Sequence, residues 1–226
     1  MSRVPVITID GPSGSGKGTV SRAVARALGW SLLDSGALYR LVALAGRRAS
    51  LKLEDEPALA RLAGQFDIRF GSAKSGDEIV WLGGLDVTGA IRTEEAGSDA
   101  SKVAALPGVR AALLERQRRF AVPPGLVADG RDMGTVVFPK AEAKIFLTAS
   151  PAERALRRYK QLKEKGVAAN LAALSLEIAE RDRRDMSRAI SPLVASADAH
   201  TLDTTGMSVD AVIGRVLDIA REHLSI

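Results

Sequence analysis

The chain contains no cysteine and only two histidines among its 226 residues. Without thiols it can form neither disulfide bonds nor thiolate metal sites. His200 and His223 lie far apart in sequence, so a zinc site is not expected. Aromatic residues make up only 4% of the chain. A single strand of nucleic acid would therefore find few side chains on which its bases could stack.

Long apolar runs are also missing, since no stretch is long enough to cross a bilayer as a helix. The N-terminal residues lack the apolar core and cleavage site of a secretion signal. An apolar content of 46% and a charged content of 26% are typical of a soluble globular protein. We therefore expect a cytoplasmic protein with no membrane partner.

The charge balance favours cations, with a formal net charge of +5. An excess of arginine can form a continuous patch for nucleic acid, or it can line a pocket for small phosphorylated molecules. Composition leaves both interpretations open, although the scarcity of aromatic residues weakens the first.

Short apolar runs alternate with helical patterns along most of the chain. Five runs read as strands, and the last has the weakest signal: Val4–Ile9, Trp30–Leu33, 126–129, 144–148 and His200–Asp203. This alternation predicts an α/β domain with a parallel sheet. Residues 66–88 instead alternate apolar and polar side chains around a turn at 74–77, which predicts a small antiparallel insertion. Residues 94–119 then return to a helical pattern that Pro107 interrupts.

A glycine-rich segment with a single lysine follows the first predicted strand. Its residues are Gly11, Pro12, Ser13, Gly14, Ser15, Gly16, Lys17, Gly18 and Thr19. Glycines let a backbone fold tightly and aim its N–H groups at phosphate oxygens, and a lysine adds a full positive charge. The preceding strand and following helix fit a P-loop that binds ATP. The alternative is an ordinary glycine-rich connection between a strand and a helix.

The phosphate loop departs from the usual P-loop at one position. Gly18 stands where most P-loops carry the serine or threonine that binds Mg²⁺, and Thr19 comes one place later. The run GKGT resembles the nucleoside monophosphate kinases. It predicts that Mg²⁺ is held less directly, through water or other residues.

Charged residues follow two further predicted strands, at the edge where parallel sheets bind ligands. Ser35 and Arg40 come after the second strand, where they could bind an anion or serve as a plain helix cap and a surface arginine. Asp129, Arg131 and Asp132 end the third strand, where the alternative is a salt-bridged loop. Asp129 could orient Mg²⁺ or its waters.

The predicted helix from 171 to 188 carries a stripe that is apolar at first and then charged. Leu174, Ile178, Arg181, Asp185 and Arg188 share this face, because their spacing follows the helical repeat. Such a stripe should point into a polar cleft. The competing interpretation is a solvated, ion-paired helix, since Glu177–Arg181 and Glu180–Arg184 are both i,i+4 pairs. Arg154, Arg157 and Arg158 similarly allow either a mobile basic lid or a solvated helix.

Four segments together resemble bacterial cytidylate kinases, and the resemblance spans essentially the whole chain. They are GPSGSGKGT (11–19), LLDSGALYR (32–40), ADGRDMGTVVFP (128–139) and RDRRDMSR (181–188). Ser15 replaces the alanine often found in this loop. The inserted region at 66–119 also resembles the enlarged acceptor-binding domain of that family.

The resemblance implies a P-loop kinase fold with a five-stranded parallel core, an acceptor domain and a short lid. The core would take about residues 1–35, 120–153 and 190–226, the acceptor insertion 36–119 and the lid 154–170. The implied substrates are ATP with Mg²⁺ as donor and CMP or dCMP as acceptor, with UMP poorer. A monomer with no stable nucleic-acid partner is implied, and closure of the acceptor domain and lid would exclude water.

The resemblance also implies roles for individual residues. The catalytic set would be Lys17, Arg131, Arg157 and Arg158. The CMP-binding set would be Ser35, Tyr39, Arg40, Ser101, Arg110, Asp129, Arg131, Asp132, Arg181, Asp185 and Arg188. Within that set Arg40 and Arg131 would hold the phosphate, and Arg181 and Asp185 would reach the sugar. The cytosine would be surrounded by Ser101, Arg110, Asp132 and Arg188. No residue is predicted as a direct metal ligand.

Three other functions stay open at this point. The chain could be a P-loop kinase for another small metabolite, such as a sugar acid or shikimate. It could be an ATPase stimulated by nucleic acid, or a binding module that holds ATP without transferring phosphate.

Overall fold

A computed structural model of the protein describes residues 4–72, 78–164 and 166–224. Its strands are β1 (Val6–Asp10), β2 (Ser31–Asp34), β3 (Ile68–Ser72), β4 (Glu78–Leu82), β5 (Leu85–Asp86), β6 (Leu126–Gly130), β7 (Ala143–Thr148) and β8 (His200–Asp203). Its α-helices are α1 (Lys17–Leu28), α2 (Ser35–Arg48), α3 (Glu56–Gly64), α4 (Glu94–Val103), α5 (Pro107–Arg118), α6 (Pro151–Glu164), α7 (Leu171–Met186) and α8 (Val209–Leu224). The chain forms two compact units, residues 1–34 with 118–226, and residues 35–117.

The first unit is built on a five-stranded sheet in the order β2-β6-β1-β7-β8, with every pairing parallel. All five predicted strands are present, so the predicted α/β fold with a parallel sheet is confirmed. β1 is buried along its whole length, as expected of a continuous apolar run covered on both faces. Ile7, Ile9 and Leu147 pack with Val24 of α1 and Val216 of α8 in one core.

The sheet order brings acidic residues to one edge. Asp34, Asp129 and Asp10 each stand at the carboxyl end of a strand, and β2, β6 and β1 are neighbours. Asp34 lies opposite Asp129, and Asp10 lies opposite Gly130. Ligands of open parallel sheets bind at this edge, so the sheet itself places these carboxylates at the candidate site.

Two predicted helix starts in the first unit are confirmed by their caps. The backbone N–H of Glu153 donates to Ser150 Oγ at 3.2 Å, and Pro151 is the first residue of α6. The N–H of Ala211 donates to Ser208 Oγ at 3.2 Å at the start of α8. These serine oxygens accept N–H groups that have no partner inside the helix.

The second unit combines a small sheet with helices. β3 and β4, and then β4 and β5, pair antiparallel, which confirms the predicted antiparallel piece. The turn predicted at 74–77 lies outside the described residues. Pro107 begins α5 and separates it from α4, because proline fits the first turn of a helix but not its interior.

The two histidines meet in space, although the sequence separates them. Nε2 of His200 on β8 lies 2.9 Å from Nε2 of His223 on α8. Distance along the sequence therefore does not by itself exclude a metal site formed by these two histidines. Two imidazoles are still fewer than the three or four protein ligands of a typical zinc site. Within 4–72, 78–164 and 166–224, no group of three or more histidine, cysteine or acidic residues could hold a metal ion.

A membrane-spanning helix is not found in the part of the chain that the structure describes, because none of its helices is both long and apolar enough.

Candidate active site

The segment 11–19 forms a tight loop between β1 and α1, and its glycines permit the turn. Gly11, Gly14 and Gly16 have φ angles of 149°, 78° and 88°, which other residues rarely adopt. A side chain at Gly11 would also strike the carbonyl oxygen of Leu147, because its Cβ would lie 2.0 Å away. The predicted strand–loop–helix context of a P-loop is thus present.

Lys17 is buried at the first residue of α1, and its Nζ donates to the carbonyl of Pro12 at 3.0 Å. The pKa of Lys17 is lowered to about 7, chiefly by burial; the cations Arg131 and Arg181 act in the same direction, while Asp129 opposes them. A buried ammonium group surrounded by cations is stabilised by any anion that enters. The loop therefore favours phosphate at this point.

Asp129 faces the start of α1 from the end of β6. Burial raises the pKa of its carboxyl to about 6, although Lys17 opposes that shift. Its Oδ1 accepts no hydrogen bond from the described residues. A Cβ at Gly18 would lie 3.3 Å from its Oδ2, and Thr19 is exposed on the helix. Asp129 thus places a carboxylate oxygen beside Gly18, the position at which most P-loops carry a hydroxyl group.

These residues fit a magnesium ion. Mg²⁺ prefers oxygen ligands, keeps several waters and uses one or two carboxylates together with substrate phosphates. Asp129 offers a buried oxygen without a partner among the described residues, and Asp34 is its neighbour across the sheet. Both carboxylates could hold the ion through water.

Asp185 is the centre of an arginine cluster at the end of α7. It is only 1% exposed, and its Oδ2 accepts from Arg131 Nε at 3.1 Å. Arg188 pairs with its other oxygen, and Arg181 Nε lies 4.0 Å from Oδ2. Arg181 Nη1 also donates to Ser13 Oγ at 3.3 Å. The structure thus joins the phosphate loop, the end of β6 and α7 in one charged site.

The predicted stripe on α7 is confirmed, because Leu174 and Ile178 are buried and Asp185 continues the same face. The helix ends at Met186, so Arg188 lies just beyond it instead of on its last turn. Glu180 and Arg184 form an exposed pair at 2.9 Å. The solvated, ion-paired interpretation therefore describes a neighbouring side of the helix, while the buried stripe ends at the ion pair of Asp185 with Arg131.

Asp132 is buried where β6 gives way to a π-helical turn, Met133–Val137. Asp10 accepts the first two N–H groups of that turn, from Met133 at 2.9 Å and Gly134 at 2.8 Å. Sequence reasoning did not single out Asp10. The rule that drew attention to Asp129, a charged residue at the carboxyl end of a strand, would have found it.

The three arginines of α6 have different surroundings. Arg157 donates to Ser15 O at 3.4 Å and to Thr204 O at 2.6 Å, so it lies beside the phosphate loop. Arg158 contacts Gln161 at 3.1 Å. Arg154 is 3% exposed and donates to Ser13 O at 3.0 Å. Burial shows that Arg154 is no solvated surface residue.

The remaining predicted residues belong to the second unit. Ser35 Oγ donates to Gln117 Oε1 at 2.9 Å, at the start of α2. Arg40 Nη1 donates to the carbonyl of Ile91 at 2.7 Å. The guanidinium of Arg110 lies 5.8 Å from the ring centre of Tyr39. Ser101 is buried on α4. These five predicted positions thus have ordered surroundings within their own unit.

Comparison with known proteins agrees with these features. The family model described as cytidylate kinase matches residues 7–222. The chain is 56% identical to the cytidylate kinase of Methylococcus capsulatus over 97% of this chain and 98% of that protein. It is 59% identical to the cytidylate kinase of Stutzerimonas stutzeri over 95% and 94%. A shikimate kinase structure from Bacteroides thetaiotaomicron covers 98% of this chain and 99% of its own, with 14% identity and a TM-score of 0.44. The family model and the full-length relatives show that this chain belongs to the cytidylate kinase family.

Proposed function

We propose that this nucleoside monophosphate kinase transfers the γ-phosphate of ATP to CMP and dCMP, and to UMP less well. One observation carries the proposal. Arg181 contacts Ser13 of the phosphate loop, while Arg131 shares the carboxylate of Asp185 with it. An ATP-binding loop and a set of guanidinium groups therefore belong to a single charged site, as two anionic substrates require.

On the donor side, the N–H groups of Gly11–Thr19 would surround the phosphates, and Lys17 would place its ammonium group near the β and γ phosphates. Arg157, beside Ser15, would add charge to the migrating group, with Arg158 further along α6. A bound Mg²⁺, held through water by Asp129 and Asp34, would neutralise part of the triphosphate charge.

On the acceptor side, Arg131 and Arg40 would hold the phosphate of CMP. Asp132 would accept a hydrogen bond from the exocyclic amine of cytosine, which a carboxylate suits. Ser101, Arg110 and Arg188 would complete the base contacts, while Arg181 and Asp185 would reach the sugar. These roles rest on the family resemblance together with the burial of Asp132 and Asp185.

The proposed reaction is a direct in-line transfer. Two phosphates at 4 Å repel by about 1 kcal/mol per pair of unit charges in water, and by several times more in a dry cleft. Lys17 and the arginines offset this repulsion and position both groups, which is most of what phosphoryl transfer needs. The phosphate oxygen of CMP is itself the nucleophile, so no side chain has to attack.

Initial-rate kinetics with ATP against CMP, dCMP, UMP and AMP test the proposal. We expect the highest kcat/KM with CMP and dCMP, a lower value with UMP and little turnover of AMP. Shikimate and gluconate are included as acceptors, and ATP hydrolysis is measured with and without DNA or RNA. Preferred use of a sugar acid, or hydrolysis that nucleic acid stimulates, would overturn the proposal. Light scattering tests the expected monomer, and the cytoplasmic location stays a prediction.

A further inference from the structure

We infer that Asp10 is a positioning residue for the acceptor nucleotide, because its carboxylate fixes the backbone turn that presents Arg131 and Asp132. The inference rests on the proposed function, and it adds a residue outside the predicted substrate-binding and catalytic sets. Asp10 ends β1 directly before the phosphate loop, and its side chain contacts the turn that follows Asp132. It therefore lies between the segments proposed to bind ATP and CMP.

The geometry is a two-point clamp. Oδ1 accepts the N–H of Met133 at 2.9 Å, and Oδ2 accepts the N–H of Gly134 at 2.8 Å. Asp10 is 5% exposed, so water competes little for these bonds. The two N–H groups directly follow Asp132, whose carbonyl in turn accepts from Val136 at 2.9 Å. The backbone that sets the position of Asp132 is therefore held from both sides.

Holding a carboxylate here has an energetic cost. The pKa of Asp10 is raised to about 7, chiefly by burial; the two N–H groups oppose the rise, and the neighbouring carboxylates of Asp132 and Asp129 contribute to it. A well-packed apolar residue would often stabilise a buried position better than a charge does. The cost is better explained by a need to hold this turn in one place than by stability alone.

The turn also has little room to move. A Cβ at Gly134 would lie 2.9 Å from Thr8 Oγ1, 3.3 Å from Lys144 Cδ and 3.4 Å from Asp10 Oδ2. Asp10 thus pulls the turn against the sheet, and the absence of a side chain at residue 134 lets it approach. Loss of the Asp10 hydrogen bonds, or a side chain at residue 134, should therefore displace the turn together with Asp132 and Arg131.

Asp10→Asn is the direct test, because asparagine keeps the size but replaces one acceptor oxygen with an NH₂ group that faces a backbone donor. We expect KM for CMP to rise about tenfold, as for a lost hydrogen bond to a charged group, while KM for ATP changes less than about twofold. Ser21→Ala is the control. Ser21 is fully buried on α1, away from the contacts of Gly134, and its Oγ has no hydrogen-bond partner among the described residues.

A second variant keeps the test informative if Asp10→Asn folds poorly. Gly134→Ala should displace the same turn from the other side and raise KM for CMP in the same way. Because both changes disturb one turn, the double variant should lose less than the product of the two single effects. Equal rises in KM for both substrates, or independent effects in the double variant, would overturn the inference. If wild-type protein does not use CMP at all, the proposed function fails first, which is a separate outcome.

Discussion

Arg154 and Asp182 form a two-point ion pair inside the first unit, with Nη1–Oδ1 at 3.1 Å and Nη2–Oδ2 at 2.6 Å. The same guanidinium donates to the carbonyls of Ala149 and Ser13, each at 3.0 Å. One buried arginine thus joins the start of α6, the phosphate loop and α7, which carries Arg181 and Asp185.

Asp182→Asn should therefore destabilise the protein by about 3 kcal/mol, since removing one partner of a buried pair leaves the other charge uncompensated. Urea unfolding followed by circular dichroism measures the change. Asp218→Asn is the control, because its pair with Arg221 is more than half exposed on both sides and should matter little. Equal unfolding midpoints for the two variants would show that the Arg154 pair contributes no stability.

Lys17→Ala should lower kcat by about 100-fold or more, because it removes a preorganised cation from the migrating charge. The fold should remain, since within the described residues Lys17 Nζ makes a single hydrogen bond, to the Pro12 carbonyl. Coupled-assay turnover and the melting temperature test both parts, with the exposed Lys52→Ala as control. Near-normal turnover would remove Lys17 from the catalytic set.

Asp132→Ala should reduce kcat/KM for CMP about tenfold or more while ATP binding stays close to normal. UMP presents a carbonyl where CMP presents an amine, so the preference for CMP over UMP should fall toward one. Steady-state kinetics with both acceptors and equilibrium binding of ATP measure these effects. An equal loss of CMP use and ATP binding would argue against base recognition.

Arg181→Ala should change the ratio of kcat/KM for CMP to that for dCMP, because the side chain is proposed to contact the sugar. Arg184→Ala, on the exposed face of the same helix, should leave that ratio unchanged. Parallel titrations with the two nucleotides measure it. Unaltered kinetics with both would place Arg181 outside the acceptor site.

The contribution of Asp198 to the free energy of unfolding should depend on pH in the acidic range. Hydrogen bonds from Lys144 at 3.0 and 2.8 Å, and then from Ser196, lower the pKa of Asp198 from 3.8 to about 2. A group with a depressed folded-state pKa stabilises the fold above its unfolded pKa and loses that effect as the pH falls through the folded value. The stability difference between wild type and Asp198→Asn should be constant from neutral pH to about 4 and shrink below it. Urea unfolding across this range measures it, and a pH-independent difference would contradict the prediction.

Sequence patterns predicted the parts of the molecule that local periodicity encodes. Short apolar runs predicted the strands of the sheet, most weakly the exposed edge strand β8, and the helical repeat placed Asp185 on the face of Ile178. Glycine spacing before Lys17 predicted the loop with its positive φ angles. Each of these properties depends on neighbours within a few residues.

Contacts between distant segments had no comparable sequence signal. Arg131 and Asp185 are 54 positions apart, and Asp10 and Gly134 are 124 apart. Such pairs depend on the order of the strands and on the packing of α7. Both are determined by the fold of the whole chain and not by neighbouring residues. The contact between His200 and His223, 23 positions apart, has the same origin.

Gly18 and Asp129 constrain each other sterically. Adding a hydroxyl-bearing side chain after Lys17 would push the carboxylate at 129 aside by a few tenths of an ångström. A serine or threonine at position 18 therefore fits only if the Asp129 carboxylate shifts by that amount, so the residue after Lys17 and the resting place of this carboxylate are sterically coupled.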